Sequence, residues 1–354
     1  MAITDARHDE RQSYILGAWI ERVPVIYWAL ALLLLILPLF TGEYILGSFI
    51  PRIFMLGMVA LSLTFLAGYG GMVSLIQMTI AGMAGYMVAI FGSSEITALS
   101  LGWPWYIAVP LAIIISVLFA TLTGWISVRT EGIYTIMITL AIASAFYYFT
   151  LQNYEIFGGQ QGINGVHPPE LFGVKWQNPM PFYYLTLFWA TLSYLAVLYV
   201  SRSPFGLALQ GARDNARRMA ALGFNVTAHR VAAYAFAALI AAIGGLLLTW
   251  DAGRIDPERA GVGPVINILI IAVIGGLRRP IGPFIGAVIF AILETYAADT
   301  LGSLGFDRER KDLLIGLIFV IIVFWSPDGL LGLWDRWKEN WGRDPLTGMR
   351  RGDK

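Results

Sequence analysis

Long apolar stretches without charge alternate with short polar segments along most of this chain. They cover residues 23–42, 53–94, 96–128, 132–154, 176–201, 231–250 and 260–277. A helix of about 20 apolar residues crosses a hydrocarbon core of about 30 Å. The pattern therefore predicts membrane-spanning helices, and the two longest stretches must each contain more than one element.

Turn signals divide these longest stretches. The GYGG sequence at 68–71 separates two spans, and GWPW at 102–105 opens a helix that follows a loop at 96–104. Further apolar stretches lie at 281–301 and 312–326. We predict an all-α polytopic membrane protein with about ten transmembrane helices, at 23–41, 52–67, 73–92, 105–126, 132–150, 182–200, 230–250, 263–277, 281–301 and 311–326.

Composition supports this class. Hydrophobic residues make up 57% of the 354 positions and charged residues 13%, whereas soluble domains carry about 25% charged residues. The 24 basic and 23 acidic residues balance, which gives no reason to expect nucleic acid as a partner. The chain has no cysteine, and its three histidines are far apart in sequence, so we expect no metal site and no cofactor.

The basic residues predict the orientation. The N-terminus lacks the features of a cleavable signal, so residues 1–22 are expected to be a cytoplasmic segment. With ten spans, 17 of the 24 Lys and Arg residues fall on the side of both termini, which makes that side cytoplasmic. We predict one transmembrane domain at 23–333, with an outer loop at 151–181, followed by a cytoplasmic tail at 334–354.

Ten spans also permit an internal repeat. Five spans per half require the second half to be inverted relative to the first. The segments at 68–82 and 259–276 each run from a glycine-rich start through a polar residue to small residues. We therefore expect a 5+5 inverted repeat, although two apolar helices can also look alike by chance.

One segment concentrates charge between two apolar spans. Residues 201–224 read SRSPFGLALQGARDNARRMAALGF. Ser203 and Pro204 are typical of a helix start. Gly211 is expected to interrupt this helix, and a second one is expected from 214 to 222, ended by Gly223. Such a short helix needs a partner surface. It could rest on anionic lipid or dock on a cytoplasmic protein, and its small apolar residues favour docking.

The segment from Ser203 into the following span resembles the cytoplasmic loop of permease subunits of ABC importers for branched-chain amino acids. Three other regions resemble this LivM-type family in the same order. They are EGIYTIMITLAIA at 131–143, GGQQGINGV at 158–166, and INILIIAVIGGLRRPIGPFIGAVIF at 266–290, with a similar end at 309–333. The resemblance covers about 65–333 and implies the ABC importer permease fold.

The resemblance implies that other subunits complete the transporter. No G-x-x-x-x-G-K-[ST] motif occurs in the sequence, so we expect ATP hydrolysis to take place on separate subunits; since no nucleophile, metal or acid–base cluster is visible either, we expect this chain not to be an enzyme. It implies two cytoplasmic ATPases, a second LivH-like permease and a periplasmic or extracellular solute-binding protein, in the bacterial inner membrane. In the loop at 201–229, the residues expected to dock on the ATPase are Arg213, Asp214, Asn215, Arg217, Arg218, Ala220, Leu222, Gly223 and Phe224.

Two departures from the family pattern are at cytoplasmic ends: Arg278 and Arg279 follow a Gly-Gly pair, and Glu131 replaces an arginine. Related permeases for urea and short-chain amides share much of the pattern, so that alternative stays open. An ion-coupled secondary transporter is a further alternative. It would usually need buried acids or broken helices, and spans one to eight contain no charge well inside.

Polar residues within the spans are candidates for the translocation pathway. Such residues face the bundle interior, where they either bond helices together or line a route. Glu294 is the acid deepest in a span, and it could contact a substrate ammonium or lie near an outer water-filled vestibule. The candidates are Ser74, Gln77, Thr139, Asn267 and Glu294.

Overall fold

The structure is a computed structural model that describes residues 33–39, 42, 45–95, 100–130, 132–170, 173, 175–303, 311–325 and 329. The predicted N-terminal segment, most of the first span, Glu131 and the C-terminal tail lie outside the described residues. The described chain is almost entirely helical.

Residues 33–36 are helical, and twelve α-helices with assigned bounds follow in the described ranges. They are α1 (Ile50–Thr64), α2 (Gln77–Phe91), α3 (Trp105–Ser127), α4 (Ile133–Gln152), α5 (Tyr154–Phe157), α6 (Pro179–Arg202), α7 (Pro204–Asp214), α8 (Ala216–Ala221), α9 (Val226–Ala252), α10 (Val262–Gly275), α11 (Gly282–Ser303) and α12 (Lys311–Trp325). Short 3-10 helices occur at Leu37–Leu39, Gly159–Gln161 and Pro257–Ala260. The π-helical segments Ile45–Phe49 and Phe65–Tyr69 extend α1 at both ends.

The helices follow the predicted spans. Each of the nine predicted spans after the first coincides with a described helix. Within the described ranges, five helices are long and apolar enough to cross a membrane: Ile45–Tyr69, Trp105–Ser127, Ile133–Gln152, Pro179–Arg202 and Val226–Ala252. The structure therefore supports an all-helical polytopic fold. The count of ten crossings and the inverted repeat stay predictions.

The start of α2 differs from the prediction. The span predicted at 73–92 becomes helical only at Gln77, because residues 71–76 form an irregular segment after α1. This buried backbone finds other partners: the Leu75 N–H donates to Thr139 Oγ1 at 3.1 Å, and the Met72 N–H donates to the Leu66 carbonyl at 3.0 Å. Irregular backbone at membrane depth is stable when the protein supplies such partners.

α9 lies at the centre of the bundle and packs on α1, α2 and α3.

In α3, every fourth residue on the buried face is small: Ala108, Ala112, Ser116, Ala120 and Gly124. Small residues let helix backbones approach closely where lipid removes the usual hydrophobic drive for packing. The opposite face of α3 exposes large apolar side chains such as Ile114, Leu118 and Leu122. This inverted distribution suits a helix that faces lipid or another membrane subunit.

A small sheet closes the end of the bundle where α9 ends. Strand β1 (Ile163–Asn164) pairs antiparallel with β2 (Arg254–Ile255), with Ile163 opposite Ile255. The Glu95 N–H also donates to the Asn164 carbonyl. Gly162 has a φ of +67°, and a Cβ there would lie 2.1 Å from the Ile255 carbonyl oxygen. The glycine-rich segment at 158–166 thus packs directly on the chain that leads from α9 to α10.

Candidate coupling loop and translocation cavity

The charged loop forms two consecutive helices. Because α6 ends at Arg202 and α9 begins at Val226, the coupling loop comprises residues 203–225. Ser203 starts α7 as expected, since its Oγ accepts the Gly206 N–H at 3.3 Å. Gly223 follows α8 with a φ of +89°, the backbone conformation that suits glycine.

The predicted break at Gly211 is wrong. α7 runs through this glycine to Asp214, and Asn215 caps α8 by accepting the Arg218 N–H on Oδ1 at 2.9 Å. A Cβ on Gly211 would lie 2.8 Å from Met219 Sδ. The glycine therefore serves the close packing of α8 on α7, which compensates for its low helix propensity of about 1 kcal/mol.

α8 and the residues after it face away from the bundle. No residue of α8 is buried, and only Ala216 and Met219 are partly covered. Large apolar side chains are exposed beside the arginines, with Leu222 68% and Phe224 43% exposed. All nine members of the predicted docking set are exposed, and six of them lie on α8 or directly after it: Arg217, Arg218, Ala220, Leu222, Gly223 and Phe224. We call these six residues the α8 surface.

His229 anchors the end of this surface, a role that the sequence analysis did not assign. Its ring stacks on Phe205 with a centroid distance of 5.6 Å and contacts the edge of Phe224 at 5.8 Å. Its Nδ1 lies 2.9 Å from the Asn225 carbonyl oxygen. The spacing from Asn225 to His229 is one helical turn, which is the sequence signal that could have indicated this contact.

Arg213 points in a different direction from the other arginines of the loop. Its NH1 donates to the Gly68 carbonyl at 2.5 Å, and its Nε and NH2 lie 2.9 Å and 2.8 Å from Asp214 Oδ1. It also lines a cavity of about 720 Å³, the proximal cavity, between the coupling loop, the start of α4 and residues 71–73.

A second cavity, of about 750 Å³, lies at the opposite end of the bundle, and we call it the distal cavity. Two of the predicted pathway residues, Asn267 and Glu294, line it. Its wall carries three basic and four acidic residues: Arg52, Arg254, Arg259, Asp251, Asp256, Glu258 and Glu294. Glu294 pairs with Arg52 at 3.0 Å, and Asp256 pairs with Arg254 at 3.6 Å and Arg259 at 3.2 Å.

The other three predicted pathway residues are buried. Ser74, Gln77 and Thr139 each expose 1% or less of their surface. Thr139 Oγ1 accepts the Leu75 N–H, and Gln77 Oε1 accepts the Ser62 hydroxyl at 2.9 Å. Gln77 Nε2 is buried and has no hydrogen-bond acceptor among the described residues.

A short buried segment lies along the chain between residues that line the two cavities. The proximal cavity reaches 71–73, and the distal cavity begins at Met78. The residues between them, 74–77, are all buried. The start of α2 therefore connects, along the chain, a residue that lines the proximal cavity to one that lines the distal cavity.

Comparison with known proteins identifies the family. A family model described as "Branched-chain amino acid transport system / permease component" matches residues 45–323. The chain belongs to this family. The matched region contains the coupling loop and both cavities.

Individual permeases are similar over most of this chain. The protein named high-affinity branched-chain amino acid transport system permease protein LivM is 25% identical in Salmonella typhimurium and 23% identical in Escherichia coli, in each case over 77% of this chain and 65% of the relative. The LivH permease of Escherichia coli is 23% identical over 78% of this chain and 90% of its own length. The chain thus spans about two thirds of the LivM relatives. No solved structure matches it.

Family membership gives the geometry its context. The relatives are named as permease proteins rather than as enzymes. This chain is similar to both LivM and LivH relatives. The family thus indicates a membrane transport role for the bundle that holds the two cavities.

Proposed function

We propose that this chain is a permease subunit of an ATP-driven importer of branched-chain or other hydrophobic amino acids. It would act in the bacterial inner membrane beside a second, LivH-like permease, with two cytoplasmic ATPases and an external solute-binding protein. The observation that carries the proposal is the exposed α8 surface in a chain of the permease family. The excess of basic residues on that side supports a cytoplasmic location for it, as for both termini.

The α8 surface has the chemistry of a protein interface. A six-residue helix does not persist alone in water, so α8 gains stability from its contact with α7 and from a partner. Exposed Leu222 and Phe224 lie next to Arg217 and Arg218. Arginine and aromatic residues are enriched at the centres of protein interfaces. We assign the α8 surface to the ATPase contact.

The distal cavity is the proposed receiving end of the pathway. A zwitterionic amino acid needs a partner for its ammonium group, a partner for its carboxylate and an apolar wall for its side chain. The distal cavity offers carboxylates, guanidinium groups and apolar residues such as Leu56 and Phe290. This mixed charge favours an amino acid over neutral urea, because a neutral solute does not require paired charges.

The buried segment at 74–77 is the proposed closure between the two cavities. Transport would require this segment to move if it closes the pathway; its burial and its position along the chain between residues lining the two cavities support that role. Family membership supports ATP hydrolysis on partner subunits as the source of that movement, over an ion-coupled mechanism.

Charge reversal on the α8 surface tests the proposal. We expect R217E combined with R218E to reduce both recovery of the ATPases with the permease and ATP hydrolysis stimulated by leucine-loaded binding protein. K175E is the matched control, because Lys175 is exposed and lies in a different loop. The docking assignment is refuted if the double variant retains full assembly and full stimulation.

The substrate is tested by uptake in proteoliposomes that contain the complete complex. We expect labelled leucine to accumulate with ATP and the cognate binding protein, and labelled urea not to accumulate. Urea uptake without leucine uptake would instead support the amide alternative. Uptake that continues without ATP would contradict an ATP-driven importer.

A further inference from the structure

One arginine of the coupling loop joins α7 to the helix bundle. The Arg213 side chain crosses to the C-terminal end of the π-helical segment Phe65–Tyr69, where NH1 donates to the Gly68 carbonyl. The last carbonyls of a helix lack partners within the helix. A cation that binds one of them satisfies the acceptor and complements the helix dipole.

The turn at 68–71 is shaped to receive this side chain. Gly71 has a φ of +67°, and a Cβ there would lie 2.5 Å from Arg213 Cγ. At Gly70, a Cβ would lie 3.8 Å from Leu209 Cδ1, one turn earlier on α7. The Arg213 stem and Leu209 therefore both pack on the turn, and the glycine at 71 permits the close approach.

The same turn leads directly into the proposed closure. The chain continues from Gly71 through the irregular segment to residues 74–77, and α2 begins at Gln77. On its other side, Gly68 packs against the Leu277 carbonyl in the turn between α10 and α11. A displacement of α7 would thus act first on the backbone that leads into the proposed closure.

The guanidinium group is held in one orientation. Nε and NH2 both contact Asp214 Oδ1, which leaves NH1 directed at Gly68. The planar fork of arginine makes both contacts at once, and the single ammonium group of lysine cannot reproduce them. Asp214 therefore orients Arg213.

We propose that Arg213 is a tether that transmits movement of the docked coupling loop to the 68–71 turn, rather than a member of the ATPase-docking surface. The proposal rests on the function proposed above. In this arrangement α8 binds the ATPase, α7 carries the displacement, and Arg213 with Leu209 applies it to the turn. Arg213 and Asp214 thus leave the predicted docking set and become positioning residues.

The experiment separates assembly from coupling in the reconstituted complex of both permeases and the ATPases. R213M removes the donors but keeps an unbranched apolar stem, and R217M makes the same change on the α8 surface. Two quantities are measured for each: ATPase recovered with the permease, and the ratio of ATP hydrolysis with and without leucine-loaded binding protein. We expect R213M to recover the ATPase normally while the stimulation ratio falls at least about five-fold. R217M should lower ATPase recovery.

The outcomes distinguish the two proposals. If R213M loses the ATPase as R217M does, Arg213 belongs to the docking surface and the tether is refuted. Normal stimulation in R213M also refutes it. If R217M and the R217E/R218E variant keep full assembly while R213M is uncoupled, the docking assignment fails and the tether stands. R213K covers the case in which R213M does not fold: it should assemble with reduced stimulation, and wild-type stimulation would refute the tether.

Discussion

The contact between α9 and α2 provides a direct test of the packing. Gly245 faces the backbone of Ala81, where an added Cβ would lie 2.2 Å from the carbonyl oxygen and 2.3 Å from Cα. Ordinary contact begins at 3.4 Å, so G245A is short of space by about 1.2 Å. Both neighbours are helix backbone, which cannot rotate away as a side chain can. The two helices must separate, or one of them must bend.

The expected cost follows from this geometry. Overpacking of a well-packed core typically costs about 1–3 kcal/mol, and a clash between two backbones belongs at the upper end. The cost should exceed the gain of about 0.5–1 kcal/mol that alanine brings to a helix interior relative to glycine. We therefore expect G245A to lower the melting temperature of the detergent-solubilised protein by about 5 °C.

G316A is the matched control. Gly316 also lies inside a helix, α12, and an added Cβ there would meet nothing within 4 Å. We expect this variant to melt at the wild-type temperature or slightly above it. Melting is measured as the loss of the monodisperse fraction after heating, by size-exclusion chromatography. If G245A melts like wild type, or if G316A falls as far as G245A, the close approach of α2 and α9 is wrong.

Three further predictions concern the closure and the coupling loop. Q77L should leave stability nearly unchanged, because Ser62 still donates to the Val59 carbonyl and the substitution removes the buried Gln77 amide donor that lacks a partner among the described residues. A large fall in melting temperature would contradict this expectation. A fall in leucine uptake alone would support a role of Gln77 in transport. G211L should weaken ATPase recovery, because its side chain would displace the Met219 side chain and α8, and normal recovery would show that α8 does not depend on this packing. N215A removes the cap of α8, which is worth about 1 kcal/mol, so ATPase recovery should fall moderately; recovery equal to wild type would mean that the partner holds α8 without its cap.

Hydrophobic patterning predicted the positions of the helices for a physical reason. A long apolar segment in lipid must satisfy its own backbone hydrogen bonds, and the α-helix does this within one segment. The start of α3 at Trp105 matches the GWPW signal. The pattern failed at the start of α2, where residues 71–76 carry no charge but are not helical. Thr139, more than 60 positions away, supplies a partner for that backbone, and no local sequence pattern contains such a contact.

The coupling loop shows a similar limit. The cap at Ser203 and the positive φ at Gly223 follow local rules, and the sequence contained both. The sequence predicts that Gly211 interrupts the first helix of the loop, because glycine has a low intrinsic helix propensity. In the fold it lies against Met219, so tertiary packing overrides the local preference. The direction of Arg213 could not be predicted either, because the three arginines of the loop look equivalent in the sequence until Asn215 separates α7 from α8.

The polar residues in the spans illustrate why sequence assigns a class more easily than a role. The prediction treated Thr139 and Gln77 alike, since both are polar positions in apolar helices. In the fold, Thr139 accepts the Leu75 N–H and donates within α4, so bonding between elements accounts for it. Gln77 uses its oxygen with Ser62, while its buried nitrogen lacks an acceptor among the described residues. An unsatisfied buried donor costs about 1–3 kcal/mol, which bonding between helices does not explain. A role in lining the pathway therefore stays a better supported prediction for Gln77 than for Thr139. The Q77L variant tests this role.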